Sequence, residues 1–513
     1  MEHRLEKLVT PVLKEYKISE TIEKWYFSEE TSLVISENLL EQKERITEMF
    51  LISLGELNIA KKGTRAIQQS SSKKKSNILI NKVELSKITS KSTSLESYQI
   101  EISGNTIEIN VADTSAILHA FYTIMQLLDN CEGYLLAGTI TDFPDLKERR
   151  LHLDMGRKFF SKEWIVNRIK QLSNLKMNTL QLHFSENKGF RIECETAPKI
   201  VSQDGYLTKK DIKEILEIAQ KYGVQIIPSL DTPGHVKHIL KSYPEYGQCG
   251  IDGQISDVAL DVTSDEALQF TKSLYSEYME LFEGCSVFHI GGDEYMEFDR
   301  APFTTIYKPV LNAFATEKFG EGYNWKDVIV DYINQISKHV VQGGFIPRIW
   351  NDGVFYDEAE IYEPKQKIPL FSKITVDFWS QMGWDPSVAT LDVILERGVT
   401  EVYNVNASYF YYVLRSDQPE DGRTNHSFDF LNQDQRIFNN WMPGLFESNQ
   451  LANDDDRIGG ASLAIWCDQP EIVSEDIIIE DIKKELRAIA TKSWNTHSND
   501  YLTYEEFDQL HSR

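Results

Sequence analysis

The amino-acid sequence predicts an α/β protein: an eight-stranded parallel (β/α)8 TIM barrel preceded by a small α+β domain. Three observations lead there. Apolar runs recur eight times after residue 146, most of them followed by helical stretches. Charged, amide and aromatic residues collect at the same end of every run. Before that point the pattern is different, with short strand-like segments and one amphipathic helix closing the unit. The expected division is therefore 1–145 for the small domain and 146–513 for the barrel.

In the first unit, 32–35, 77–80, 98–102 and 106–111 read as strands, and Ser103-Gly104-Asn105 supplies a hairpin turn between the last two. From Asp113 to Leu128, Ile117, Phe121, Ile124 and Leu128 share one face, the spacing of an amphipathic helix. The polar run 68–76 is expected to be a mobile loop.

The eight barrel runs are 151–155, 179–184, 224–230, 286–290, 345–350, 374–379, 401–405 and 461–466. Their continuous apolar character is that of strands covered on both faces. Ser161 is placed to cap a helix reaching Asn174, and Thr208 with Asp211 three residues on forms a capping-box pattern for a helix ending at Tyr222-Gly223. In such barrels the chemistry sits where strands end and lead into the next helix. Here those ends carry, in order, Asp154 and Arg157, His183 and Glu186, Asp231 and His235, and Asp293-Glu294. Trp350-Asn351-Asp352, Trp379, Asn406 with Tyr409, and Trp466 with Asp468 complete the set. Chance would scatter such residues over both ends. Their convergence predicts one polar pocket with aromatic walls.

Composition narrows the function. A net charge of −25 opposes binding to a phosphate backbone, so nucleic acid is not an expected partner. No run approaches membrane-spanning length, and no membrane partner is expected. The five scattered cysteines, the odd count and a charged N-terminus without an apolar signal core predict a cytoplasmic location. No cofactor or metal is expected. The sequence lacks His-Glu-x-x-His, Asn453-Asp454-Asp455-Asp456 reads as an acidic surface loop, and no second His at ligand spacing accompanies His289 and Asp293-Glu294.

The run His289-Ile290-Gly291-Gly292-Asp293-Glu294-Tyr295 follows the apolar Val287-Phe288, so a short strand delivers two adjacent carboxylates into a loop. Two neighbouring acids raise each other's pKa, which predicts that one stays charged while the other holds a proton near neutrality. Adjacent residues do not easily straddle a glycosidic bond, across which retaining enzymes set their carboxylates roughly 5 Å apart. They suit a reaction in which a 2-acetamido sugar supplies its own carbonyl as nucleophile, while one acid protonates the leaving oxygen and the other steadies the oxazolinium charge.

These residues resemble glycoside hydrolase family 20, the β-N-acetylhexosaminidases and lacto-N-biosidases, over essentially the whole chain. His-x-Gly-Gly-Asp-Glu at 289–294 is the specific motif, joined by Leu153-Asp154-Met155-Gly156-Arg157, by Asp231-Thr232-Pro233-Gly234-His235 and by Asn406-Ala407-Ser408-Tyr409-Phe410. The resemblance implies Glu294 as general acid/base, Asp293 on the acetamide N–H and Tyr409 on its carbonyl, with His235 supporting the acid. It implies Arg157 on the sugar 3- and 4-hydroxyls and Trp350, Trp379 and Trp466 around the acetamide. Three departures stand out. Glu186-Asn187-Lys188 replaces Asp-Asp-Gln, with Glu186 expected to orient His235. Asp468 replaces a Glu facing the 4- or 6-hydroxyl, and Tyr411 replaces an Asp. The expected function is an exo-acting β-N-acetylhexosaminidase on glycans or oligosaccharides with terminal N-acetylhexosamine. A lacto-N-biosidase is the nearest alternative, and a catalytically silent sugar-binding protein is the alternative from another class.

Overall fold

A computed structural model of the chain describes residues 5–28, 30–55, 76–131, 133–298, 300–355, 365–381, 388–414 and 433–509. Strands Glu148–Asp154, Thr179–Glu186, Gln225–Thr232, Val287–Gly291, Ile346–Trp350, Thr375–Phe378, Val402–Asn404 and Ile458–Trp466 pair in that order. Each neighbour is parallel, and the last strand returns to the first with Leu463 opposite Leu151. The apolar runs became strands because both their faces are covered: all eight residues of Thr179–Glu186 are buried. The helix signals act as read. The Ser161 side chain accepts from the Trp164 N–H, Thr208 and Asp211 complete a capping box, and Gly223 takes a positive φ of 67° after the helix.

Strands five and six are joined by a segment of which residues 356–364 lie outside the described residues. Among the described residues only the 3-10 turn Asn351–Gly353 lies between them, with no α-helix. Gly353 is pressed against the preceding strand's exit, where a Cβ would meet the Gly292 carbonyl oxygen at 2.3 Å. Gly353 is thus held at the barrel mouth.

The N-terminal residues form a six-stranded sheet in the order Glu15–Ile18, Gly138–Asp142, Tyr98–Ser103, Thr106–Val111, Asn77–Lys82, Ser32–Ile35. The first two strands have no counterpart in the sequence reading, because each is short and mixes polar with apolar residues. Helices Ser115–Asn130 and Lys43–Gly55 pack against each other. The predicted loop at 68–76 lies outside the described residues except for Ser76. The sheet's core also takes in Trp494 from the helix Lys483–Trp494. Buried Lys176 reaches Asp142 at 2.9 Å and the Tyr98 hydroxyl at 2.8 Å, and Arg149 reaches Glu96 at 2.7 Å. These charges are paired and hydrogen-bonded, as buried charges must be.

Charged side chains also fill the barrel interior. Arg150 meets Asp377 at 2.7 Å and Arg348 meets Glu148 at 2.7 Å. His289 belongs to this layer, with Nε2 3.5 Å from Asp377 and Nδ1 accepting the Gly291 N–H. Tyr295 turns away and donates to Gln248 and the Leu260 carbonyl. The two residues flanking the acidic pair therefore make structural contacts, though Tyr295 also lines the cavity beside Glu294. Register shifts occur between His183 and Ser185 and between Ser229 and Thr232, near the C-terminal ends of strands two and three. Such irregularities re-aim side chains at barrel rims.

Candidate active site

The acidic pair leaves the fourth strand through left-handed backbone at Gly291 (φ 77°) and Gly292 (φ 95°), and Glu294 itself is held at φ 41°. Glycine is required at 291, since a Cβ there would lie 2.5 Å from Asp231 Oδ1. The same packing forces Gly234, where a Cβ would lie 2.6 Å from the Asp293 carbonyl oxygen. This close approach puts His235, also left-handed at φ 54°, beside both acids. Its Nε2 is 3.3 Å from Asp293 Oδ2 and 3.5 Å from Glu294 Oε2. Its Nδ1 is 2.6 Å from Glu186 Oε1. Arg157 Nη2 approaches the same Glu186 oxygen at 2.6 Å, while Nη1 meets Asp154 at 2.9 Å. Arg157 is thus an ion-pair partner of both Asp154 and Glu186.

Burial alone would make His235 hard to protonate, but Glu186 and Asp293 outweigh it and hold the imidazole pKa well above the usual value. Burial likewise pushes Glu186 and Glu294 upward. Arg157 and His235 override it for Glu186, and the His235 hydrogen bond and charge override it for Glu294, so both carboxyls lie below their ordinary range. Glu294 sits in a concave mouth crowded by protein, yet half of its side-chain surface meets water. At Glu294 this runs against the expectation that adjacency leaves it holding a proton near neutrality, because the His235 partner lowers its carboxyl. The proton-holding carboxyls stand behind the pair. Asp231 is pushed well above its usual value by burial and by Asp293, and Asp352 is pushed up to about 8 by burial and by Asp293 and Glu294.

Asp352 joins the two halves of the site. Its Oδ2 accepts the Glu294 backbone N–H at 2.9 Å and its Oδ1 accepts the Trp379 indole N–H at 2.9 Å. Trp350, Trp379 and Trp466 come together in one cluster, Trp350 and Trp466 with ring centroids 5.8 Å apart. The tyrosine among them is Tyr411. Its ring stacks on Trp379 at 5.8 Å and 6° and lies 5.8 Å from Trp466. Burial, Asp293 and Asp352 keep its phenol protonated. Tyr409 is instead in the short helix Ala407–Phe410, with the Arg436 guanidinium 5.1 Å from its ring. The reason is tertiary: Tyr411–Val413 adds as a strand beside Ile458–Trp466, with Tyr411 opposite Ala464 and Val413 opposite Trp466. No local signal distinguishes the two tyrosines.

Asp468 is partly buried beyond Trp466. Its charge raises Arg157, and its backbone oxygen accepts from Lys188 at 2.5 Å. His183 is a fully buried histidine, 3.1 Å from Ser229 Oγ and 3.6 Å from Asp231. Spacing along the chain did not reveal that His183 reaches Asp231 on the next strand. His183, Glu186 and Asp231 form one group of metal-type ligand atoms within 4.8 Å of one another, and Asp231, His235 and Asp293 form a second. The Arg157 guanidinium against Glu186 and the cationic His235 already neutralise these carboxylates, which disfavours a divalent cation there.

The sequence model described as Glycosyl hydrolase family 20, catalytic domain, matches residues 147–496, and that for domain 2 of the same family matches 8–143. The chain is 27% identical over 401 residues to a lacto-N-biosidase of Bifidobacterium bifidum, covering 78% of this chain and 33% of that protein. It is 23% identical over 422 residues to beta-hexosaminidase subunit A1 of Dictyostelium discoideum, covering 79% and 70%. The chain thus spans about a third of the first relative's length. The structure of an exo β-N-acetylglucosaminidase from Vibrio harveyi with N-acetylglucosamine superposes with a TM-score of 0.70 at 18% identity, over 98% of this chain and 76% of that one. A Streptomyces plicatus β-hexosaminidase mutant with product GlcNAc gives 0.70 at 18%, over 96% and 92%. At that identity the structural likeness bears on the fold. With the catalytic-domain model matching the barrel that presents the acidic pair and the domain 2 model matching the region before it, the chain belongs to glycosyl hydrolase family 20.

Proposed function

We propose that the protein is an exo-acting β-N-acetylhexosaminidase that uses its substrate's acetamide as nucleophile and retains configuration. The observation that carries this reading is the adjacency of Asp293 and Glu294 near the aromatic cluster of Trp350, Trp379, Trp466 and Tyr411. In the proposed first step the acetamide carbonyl oxygen bonds to C1, the C1–leaving-oxygen bond breaks and Glu294 gives its proton to that oxygen. Asp293 accepts the acetamide N–H and stabilises the oxazolinium charge, and the Tyr411 hydroxyl, rather than that of Tyr409, fixes the carbonyl. Water then attacks C1, Glu294 takes its proton, and the ring opens. Substrate that displaces water from the half-exposed Glu294 strengthens its desolvation, which favours the protonated acid the first step needs. His235, held by Glu186, orients the acid. Arg157 is assigned the 3- and 4-hydroxyls and Asp468 the 4- or 6-hydroxyl. The five free cysteines support a reducing, cytoplasmic setting. Among the described residues no helix is long and apolar enough to cross a membrane.

The test is turnover of nitrophenyl N-acetyl-β-glucosaminide and N-acetyl-β-galactosaminide beside the plain β-glucoside. Release from the first two and not the third is expected, and equal cleavage of the glucoside sinks the mechanism. A second reading, lacto-N-biosidase, is favoured by the Bifidobacterium relative and by the short Asp468. Preference for nitrophenyl lacto-N-bioside over the monosaccharide substrate would establish it.

A further inference from the structure

A cavity of about 550 Å³ opens against Glu294. Its lining includes His235, Glu294 and Asp352 from the site, but none of the three tryptophans, Tyr411 or Arg157. It meets the site at the acid, and the aromatic cluster does not line it. Its walls are Val258, Met296, Phe298, Phe303, Tyr307 and Val388, with Asp257, Glu297 and Arg300 also lining it. Phe303 and Tyr307 are buried, so their rings offer little open face for a sugar to stack on. The volume lies within the range that encloses most of a small organic ligand.

We propose that this cavity is a leaving-group site for an apolar body, an alkyl or aryl aglycone, attached through the oxygen that Glu294 protonates. The inference rests on the proposed glycosidase activity and adds the class of aglycone. If Glu294 faces the glycosidic oxygen, whatever that oxygen carries must lie beside Glu294, where this cavity is. Val258 and Val388 arrive on segments separate from the catalytic loop, so the cavity's apolar character can be altered without touching the acid pair. Burying an alkyl chain there favours binding in proportion to the apolar surface removed from water.

The experiment compares kcat/KM for the methyl, butyl and hexyl N-acetyl-β-glucosaminides, whose leaving alcohols are nearly equal in acidity, so that chain length changes burial and not bond breaking. A rise of up to about fourfold per enclosed methylene is expected in the wild type. Val258→Asp should flatten the series and leave the methyl glycoside's rate unchanged. The milder Val258→Ser and Val388→Ser should reduce the slope if the aspartate variant does not fold. A flat series, or no cleavage of alkyl glycosides by an enzyme that turns over the nitrophenyl sugar, overturns the cavity proposal alone. So does a slope that survives in all three variants, or faster cleavage of N,N′-diacetylchitobiose than of the hexyl glycoside. Failure on the nitrophenyl sugar as well overturns the activity beneath it.

Discussion

Replacing Tyr411 by Phe deletes one hydroxyl and keeps the ring that stacks on Trp379 at 5.8 Å and 6°. The phenol is held protonated by burial and by the nearby Asp293 and Asp352, so it is available as a donor throughout the working pH range. A hydrogen bond to a group that takes on charge is worth about 1.5–3 kcal/mol. At about 1.4 kcal/mol per factor of ten, Tyr411→Phe should lose about 10- to 150-fold in kcat/KM. Most of the loss should fall on kcat, because the bond strengthens as the carbonyl attacks. Tyr409→Phe is the matched control. It keeps the ring beside Arg436 at 5.1 Å and removes a hydroxyl outside the tryptophan cluster, so activity should stay within about threefold of wild type. Initial rates on nitrophenyl N-acetyl-β-glucosaminide measure both, with thermal melts to confirm that each variant is folded. A larger loss in Tyr409→Phe than in Tyr411→Phe would refute the assignment.

Glu294→Gln should cost about 10²–10⁴-fold in turnover, with a smaller loss on substrates whose leaving groups need little protonation; near-wild-type cleavage of a natural disaccharide would remove Glu294 from the role. A thiazoline mimic of the cyclised intermediate should inhibit far more tightly than N-acetylglucosamine, and mass-spectrometric capture of a glycosyl ester on any carboxylate would contradict it. The last expectation concerns pH and stability. Asp352 is raised in the fold to about 8, so the native state keeps a proton that the unfolded chain releases near pH 4, and wild-type stability falls as pH rises between those values. Asp352→Asn lacks this titration, so its Tm relative to wild type should climb from pH 4 to 8 and then level off. A difference in Tm that does not change with pH would show that Asp352 titrates normally.

The barrel was legible in the sequence because strands covered on both faces read as runs dominated by apolar residues, and eight such runs leave few other architectures. The edge strand Glu15–Ile18 was not, since an edge needs no such pattern. The acidic pair and its glycines were legible for a local reason: backbone at positive φ, pressed against Asp231, admits only glycine at 291. The tryptophans were found because each ends a strand. Tyr411 could not be separated from Tyr409 in this way, because pairing with the last barrel strand, a contact across more than fifty residues of chain, decides which ring meets Trp379. The charge states were equally out of reach of the sequence. Adjacency predicts that Asp293 and Glu294 share a proton. Only the tertiary structure brings cationic His235 to both acids and sets Asp231 and Asp352 behind them, and buried charge answers to the nearest partner in space, not the nearest in sequence.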